Sequence, residues 1–345
     1  MSETATTGEL AHGGRLSEAR RLFPDAPGPW LDLSTGVNPL AYPMPALGAD
    51  CFARLPDADA EAALRVVAAR AYGVADPACV AAAPGTQILI NLLPRLMRAA
   101  RVAVLGPTYA EHAQAWQRGG ATVTAAETFA ALDLADVAVL CNPNNPDGRR
   151  HAPERLIPLA NLLAARGGFL VVDEAFADLA GQGVSVAGAL PHPGLIVLRS
   201  FGKTYGLAGL RLGFALASPI RAAAIRSALG PWAVSGPALA AGTVALADRE
   251  WLAETASRLE WETLDLDACI VQTCLRVVGG TDLFRLAEGV TAQRVFATLG
   301  GAGIFVRRFA DRPHWLRFGF PGRPQDWDRL REAVRIPPTL QRSRP

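Results

Sequence analysis

Apolar positions along this chain fall into two patterns. Four uninterrupted runs, at 102–105 (VAVL), 137–140 (VAVL), 169–172 (FLVV) and 195–198 (LIVL), are too short for helices and show no polar alternation. Between them lie stretches with helical spacing, such as 153–165, where Leu156, Ala160 and Leu163 share a face. Strands apolar on both faces, alternating with helices, predict an α/β fold with a mostly parallel sheet covered on both sides. Ahead of it, the spacing of Leu64, Val67, Ala68 and Ala71 predicts a helix from Asp57, a capping residue, to Tyr72. A second helix is expected to start at Gly85-Thr86, to carry Ile88, Leu92 and Leu96, and to bend at Pro94. The first forty residues mix Gly, Pro and short apolar pieces and predict an arm with little regular structure.

Beyond Pro231 the pattern changes. A long helical region over about 237–268 leads to shorter alternating runs near 275–278, 282–286, 304–307 and 315–320, the signature of a smaller α+β domain. The expected organisation is an arm (1–40) joining the small domain, a large domain (41–234), a small C-terminal domain (235–335) and a loose tail (336–345). The chain shows no internal repeat.

Composition narrows the function classes. The chain has 345 residues, half of them hydrophobic, and a formal net charge of +2. A charge so near balance argues against electrostatic binding of nucleic acid. No apolar run reaches the roughly 18–20 residues of a membrane span, and MSETATTGELAHGG lacks the order of a secretory signal. A cytoplasmic enzyme is expected. Cys51, Cys79, Cys141, Cys269 and Cys274 are scattered, and the five histidines form no ligand pattern, so neither a disulfide framework nor a bound metal is expected.

One count matters more. Of the 34 Lys and Arg residues, 33 are arginine, and the single lysine is Lys203, in SFGKTYGLAGLRLG. Arginine stays protonated and forms no Schiff base, so a lone lysine in an arginine-biased chain points to amine chemistry. Gly202-Lys203-Thr204 is not a P-loop, because the glycine that motif needs five residues before Gly202 is Val197 here. A nucleotide-binding protein is therefore disfavoured.

In open α/β sheets, ligands sit beyond the carboxyl ends of the strands. Polar motifs fall at those ends: GPTY, CNPNNPDG, DEAF and RSFGK each follow an apolar run. Lys203 could hold an aldehyde cofactor as an imine, with Ser200 and Arg211 offered to its phosphate. Gly85 and Thr86 add the N–H groups of a helix start. Asp173 could keep a pyridinium nitrogen charged, Asn145 could donate to a ring oxygen, and Tyr109 could stack on the ring. Taken singly, Asp173 also reads as a helix cap and the Asn-Pro pairs as turn formers.

The series PGTQ, GPTY, NPNNPDG, VVDEAF, SFGK-x-x-G-L-A-G-L-R-L-G and WLRFGFP resembles the fold-type I pyridoxal-phosphate enzymes, the class I/II aminotransferase family, from about residue 12 to 330. Within it the chain is most similar to the histidinol-phosphate aminotransferase branch and its threonine-phosphate decarboxylases of cobalamin biosynthesis. HGG (12–14), LDLSTGVNPL (31–40), RLPDAD (54–59) and DEAF (173–176) carry the finer likeness. The resemblance implies pyridoxal 5'-phosphate on Lys203 and a phosphorylated amino acid as substrate. The expected chemistry is decarboxylation of L-threonine O-3-phosphate to (R)-1-aminopropan-2-yl phosphate, with amino transfer on a substrate such as histidinol phosphate as the alternative. It also implies substrate contacts at His12, Gly13, Gly36 and Asn38, a carboxylate contact at Arg317, and a homodimer. His12 with Gly13 and Gly14 could form a small anion nest. Two positions depart from the family pattern: Gly202, where relatives often carry a hydroxyl, and Leu55, where many carry a tyrosine.

Overall fold

The four apolar runs form neighbouring strands of one sheet. The computed structural model describes residues 13–335 apart from Pro45, so His12 and the tail 336–345 lie outside the described residues. Numbered in chain order, β1 (Leu31–Leu33) belongs to a second sheet, and the first sheet holds β2 (Val80–Ala83), β3 (Arg101–Leu105), β4 (Thr122–Ala126), β5 (Val137–Cys141), β6 (Phe169–Asp173), β7 (Leu195–Ser200) and β8 (Gly213–Ala217). Their order is β2-β8-β7-β6-β5-β3-β4. All pairs from β7 to β4 are parallel, and β8 alone runs antiparallel to both its neighbours. Alternate side chains serve separate cores: Ala138, Leu140, Leu170 and Val172 pack on one face, Val137, Val139, Phe169 and Val171 on the other. That is why these strands show no polar alternation.

Helices cover both faces. Asp57 caps the Ala58–Ala71 helix by accepting from Asp59 N at 2.8 Å. The Thr86–Leu96 helix does contain Pro94, but its phase differs from expectation: Leu89, Ile90 and Leu93 are buried while Ile88 is exposed. The start at Gly85 fixes the phase by turning Thr86 and Gln87 toward a cavity. The helical region expected over about 237–268 consists of two helices, Gly236–Ala247 and Arg249–Gln272. Asp248 breaks them and caps the second, accepting from Trp251 N at 2.9 Å.

The second sheet adds β9 (Arg276–Thr281), β10 (Phe284–Glu288), β11 (Ile304–Arg308) and β12 (Trp315–Phe318), in the order β1-β11-β12-β10-β9. Only β1 pairs parallel, against β11. The expectation of an irregular N-terminal arm needs correcting, since it holds a helix, Leu16–Leu22, and strand β1. Three residues are too few to show a period. The segment is tied down by Phe23 against Phe296 and Trp30 against Phe305. Among the described residues, no helix is long and apolar enough to cross a membrane.

Candidate active site

Because β3, β5, β6 and β7 are parallel neighbours, their carboxyl ends open on one cavity of about 530 Å³. It is lined by Gly13, Gly36, Gly85, Thr86, Tyr109, Asn145, Asp173, Ser200, Lys203, Arg211 and Arg317. The sequence pointed to every one of these, and the fold gathers them into one pocket from positions as far apart as Gly13 and Arg317. Asn38 is the exception among the described residues. It lies outside the lining, its amide committed to Thr204 O at 2.9 Å and to Arg258 Nη2 at 2.9 Å.

Lys203 sits on a one-turn helix, Phe201–Thr204, directly after β7. Its Nζ lies 4.9 Å from the centre of the Phe176 ring. Burial and the positive charges of Arg317 and Arg211 outweigh the attraction of Asp173, pushing the amine down to about 8. An ordinary lysine, near ~10.4, would be almost wholly protonated at neutral pH.

Asp173 ends β6, and one of its oxygens meets His112 Nε2 at 2.8 Å while the other accepts from Ala175 N at 3.1 Å. Burial pulls His112 down, but the bonds to Asp173 and Cys141 win and carry it up to about 10. The imidazole is therefore held as a cation, and its bond fixes the Asp173 side chain in place. His112, Cys141 and Asp173 bring ligand-type atoms within 4.8 Å of one another. The field of Lys203, Arg211, Arg307 and Arg317 along the same cavity opposes a dication, so this trio acts as hydrogen-bonded support. Behind the sheet, Arg199 pairs with Glu174 and Asp178, pinning the strand ends that carry Asp173 and Ser200.

Three asparagines of NPNNPDG divide the labour. Asn142 donates to His151 O and Val184 O, and Asn144 to Pro107 O and Asp147 Oδ1, so both knit the loop. Asn145 faces the cavity. Its Oδ1 accepts from Arg317 Nη1 at 2.5 Å, which turns its NH₂ group toward any ring oxygen. Arg317 also donates to Ser34 O at 2.9 Å, yet its buried Nε has no partner among the described residues. Burial and Arg307 push this guanidinium down to about 9, still charged at neutral pH.

The opposite end of the cavity is an anion cradle. Gly85 adopts φ 89° at the start of the Thr86–Leu96 helix, and a Cβ there would lie 2.5 Å from Arg211 Nη2. The glycine thus lets the guanidinium approach free helical N–H groups. Gly202 has a different cause from a missing hydroxyl: a Cβ would meet Ala208 Cα at 2.6 Å, because the Ala208–Leu210 turn closes over it. Gly13 and Gly36 are also close approaches, against Ser34 O and the Phe284 and Phe176 rings. Leu55 is 68% exposed and outside the lining.

Family comparison agrees with this geometry. The model for aminotransferase class I and II matches residues 49–334. The chain belongs to that family. It is 40% identical over 328 residues to the threonine-phosphate decarboxylase of Pseudomonas aeruginosa, spanning 94% of this chain and 97% of that protein. It is 42% identical, with the same coverage, to a threonine-phosphate decarboxylase of a Sinorhizobium species. The crystal structure of histidinol-phosphate aminotransferase from Sinorhizobium meliloti in complex with pyridoxal-5'-phosphate aligns with a TM-score of 0.79 at 21% identity, over 96% of this chain and 98% of that one. At that identity the likeness concerns the fold.

As in any class I and II aminotransferase fold read from one sequence, some residues escaped notice. His112 is one. It sits 61 positions from Asp173 and nothing local marks it. Arg307 is another: it lines the cavity directly opposite Arg317 in the β11–β12 register and has no ion-pair partner among the described residues. Its signal is the register between two strands, which one sequence does not reveal.

Proposed function

We propose that this chain is a pyridoxal-phosphate-dependent lyase that decarboxylates L-threonine O-3-phosphate to (R)-1-aminopropan-2-yl phosphate in cobalamin biosynthesis. The observation that carries this reading is the opposed pair Arg307 and Arg317 beside Lys203. Like charges directly opposite on a sheet are destabilising unless anions lie between them, and this substrate brings two anionic groups. Arg317, with its unpartnered Nε, takes the carboxylate, and Arg307 the substrate phosphate. The likeness to threonine-phosphate decarboxylases along nearly the whole chain supports the same conclusion.

The residues fit the cofactor. The low-pKa amine of Lys203 would bond its carbonyl carbon. Asp173, fixed by His112, would hold the ring nitrogen protonated. The Asn145 amide would donate to the ring oxygen and Tyr109 would lie on the ring. Gly85, Thr86, Ser200 and Arg211 would hold the phosphate where a side chain at position 85 would collide. Pyridoxal phosphate, when bound, supplies a sink for the electron pair that carbon dioxide leaves on the α-carbon. The Lys203 amine would carry one proton, drawn from solvent, to that carbon, so that the departing carbon dioxide is replaced by hydrogen. Gly13 and Gly36 line the cavity, and His12, which lies outside the described residues, would offer a ring N–H to an anionic group of the substrate.

On the same reading the protein works in the cytoplasm as a homodimer, with the arm 1–40 and residues 235–335 forming one domain beside the large domain 41–234. Incubation with phosphothreonine and added cofactor tests the reaction. Carbon dioxide released without any 2-oxo acid is the expected result. Amino transfer to a 2-oxo acid, with no carbon dioxide, would overturn it in favour of an aminotransferase.

A further inference from the structure

Lys203 sits on a helix of one turn, and such a turn does not hold its own shape. Only Phe201 O accepts from within the turn, from Tyr205 N at 3.3 Å, and the carbonyls at the end of a helix need partners from elsewhere. The carbonyls of Lys203, Thr204 and Tyr205 are all satisfied from one segment. Asn38 N donates to Lys203 O at 2.8 Å, Asn38 Nδ2 to Thr204 O at 2.9 Å, and Tyr42 N to Tyr205 O at 2.8 Å. Gly206, at φ 64°, permits the approach, since a Cβ there would lie 2.7 Å from Ala41 Cα and 2.8 Å from Asn38 O. The Asn38 amide can face Thr204 with its NH₂ group only if its oxygen faces donors. Leu40 N at 3.1 Å and Arg258 Nη2 at 2.9 Å supply them. Arg258 is itself held by Glu262 at 2.8 Å on the Arg249–Gln272 helix. That helix meets the lysine turn a second time, where Trp251 stacks on Tyr205 at 5.4 Å.

We propose that Asn38, oriented by Arg258, is a positioning residue for Lys203: it caps the lysine's one-turn helix from outside and ties it to the long helix of the second sheet. This rests on the role given to Lys203 above. Asn38 lies outside the cavity lining, and its effect is to keep Nζ within the few tenths of an ångström that bond making requires.

The chain's single lysine makes the test clean. Protein grown on ε-¹³C-lysine gives one side-chain resonance, whose titration can be followed without cofactor. Asn38→Ala and Asn38→Asp both remove the donor to Thr204 O, while the aspartate still accepts from Arg258. Both are expected to move the Lys203 titration away from its midpoint of about 8 toward the ordinary lysine value. Both are also expected to lower kcat on the order of 10²-fold with KM little changed. Arg258→Met, at a half-exposed site, should shift both quantities the same way by less, and Arg258→Lys should recover part of the loss. If the Asn38 variants do not fold, Arg258→Met decides alone. An unchanged titration and kcat in the folded variants would overturn the proposal. A rise in KM at constant kcat would also overturn it, by placing Asn38 on the substrate. Activity surviving in a Lys203→Arg variant would instead overturn the role of the lysine itself, so the two failures are distinct.

Discussion

At the scale of single residues, the site depends on two groups whose proton affinities are displaced in opposite directions. Lys203 is held near 8 by burial and by neighbouring guanidinium groups, so raising the pH frees its nucleophile. The rate at which cofactor-free protein captures pyridoxal phosphate should rise between pH 6 and 9 with a midpoint of about 8, as stopped-flow absorbance would show. A midpoint at the ordinary lysine value, near ~10.4, would refute that environment. His112 is displaced upward, to about 10, and stays charged beside Asp173. His112→Phe removes this partner and leaves a buried carboxylate short of a hydrogen bond, a loss of about 1–3 kcal/mol. Cofactor affinity measured by fluorescence quenching should fall roughly 5- to 150-fold in consequence. Lys203, Asp173, Asn145 and Arg211 were legible in the sequence because each sits in a motif at a strand end. His112 and Arg307 were not, because each acquires meaning only from a neighbour that is distant along the chain.

At the scale of elements, legibility followed burial. β3, β5, β6 and β7 were readable because burial on both faces makes them continuous apolar runs. β4 was missed because it is an edge strand with exposed polar positions, TVTAA, and β2 because VAAA carries no strand-forming side chain beyond its valine. The turn at Ala208–Leu210 was invisible as well, and it changes how position 202 is understood. A hydroxyl there is excluded by backbone rather than merely absent, since the added Cβ meets Ala208 Cα at 2.6 Å. Gly202→Ser should therefore destabilise the fold by about 1–3 kcal/mol in urea unfolding and should not tighten cofactor binding. Tighter binding at unchanged stability would show the turn to be more yielding than this packing implies. Asp248 offers a milder check. Its loss in Asp248→Ala removes the cap on Trp251 N and the bond to Tyr42 at 3.0 Å, and a cap alone is worth ~1 kcal/mol.

At the scale of the whole molecule, two sheets with separate cores enclose a cavity lined by residues of both. The alternation of apolar runs and helices predicted the larger sheet, and the change of pattern beyond Pro231 predicted a different second unit. The N-terminal arm was expected to join the small domain, but the pattern could not show that it does so as a strand, because the three residues of β1 make sense only beside β11. Two exposed apolar side chains sit close together, Phe52 in the helix Asp50–Ala53 and Leu55 two residues beyond its end, and the homodimer proposed above would give them cover. Sedimentation equilibrium should then report twice the chain mass, and Phe52→Asp with Leu55→Asp should reduce it to one chain. A monomer at micromolar concentration with full decarboxylase activity would contradict the dimer.

Everything at each scale converges on one amine. Borohydride reduction of the cofactor-loaded protein, followed by trypsin and mass spectrometry, examines it directly, because cleavage after Arg199 and Arg211 isolates residues 200–211 with Lys203 inside. The account predicts a reduced pyridoxal phosphate adduct on that peptide, with cleavage at Lys203 blocked. A loaded, active protein whose 200–211 segment is cut at Lys203 and carries no added mass would contradict it.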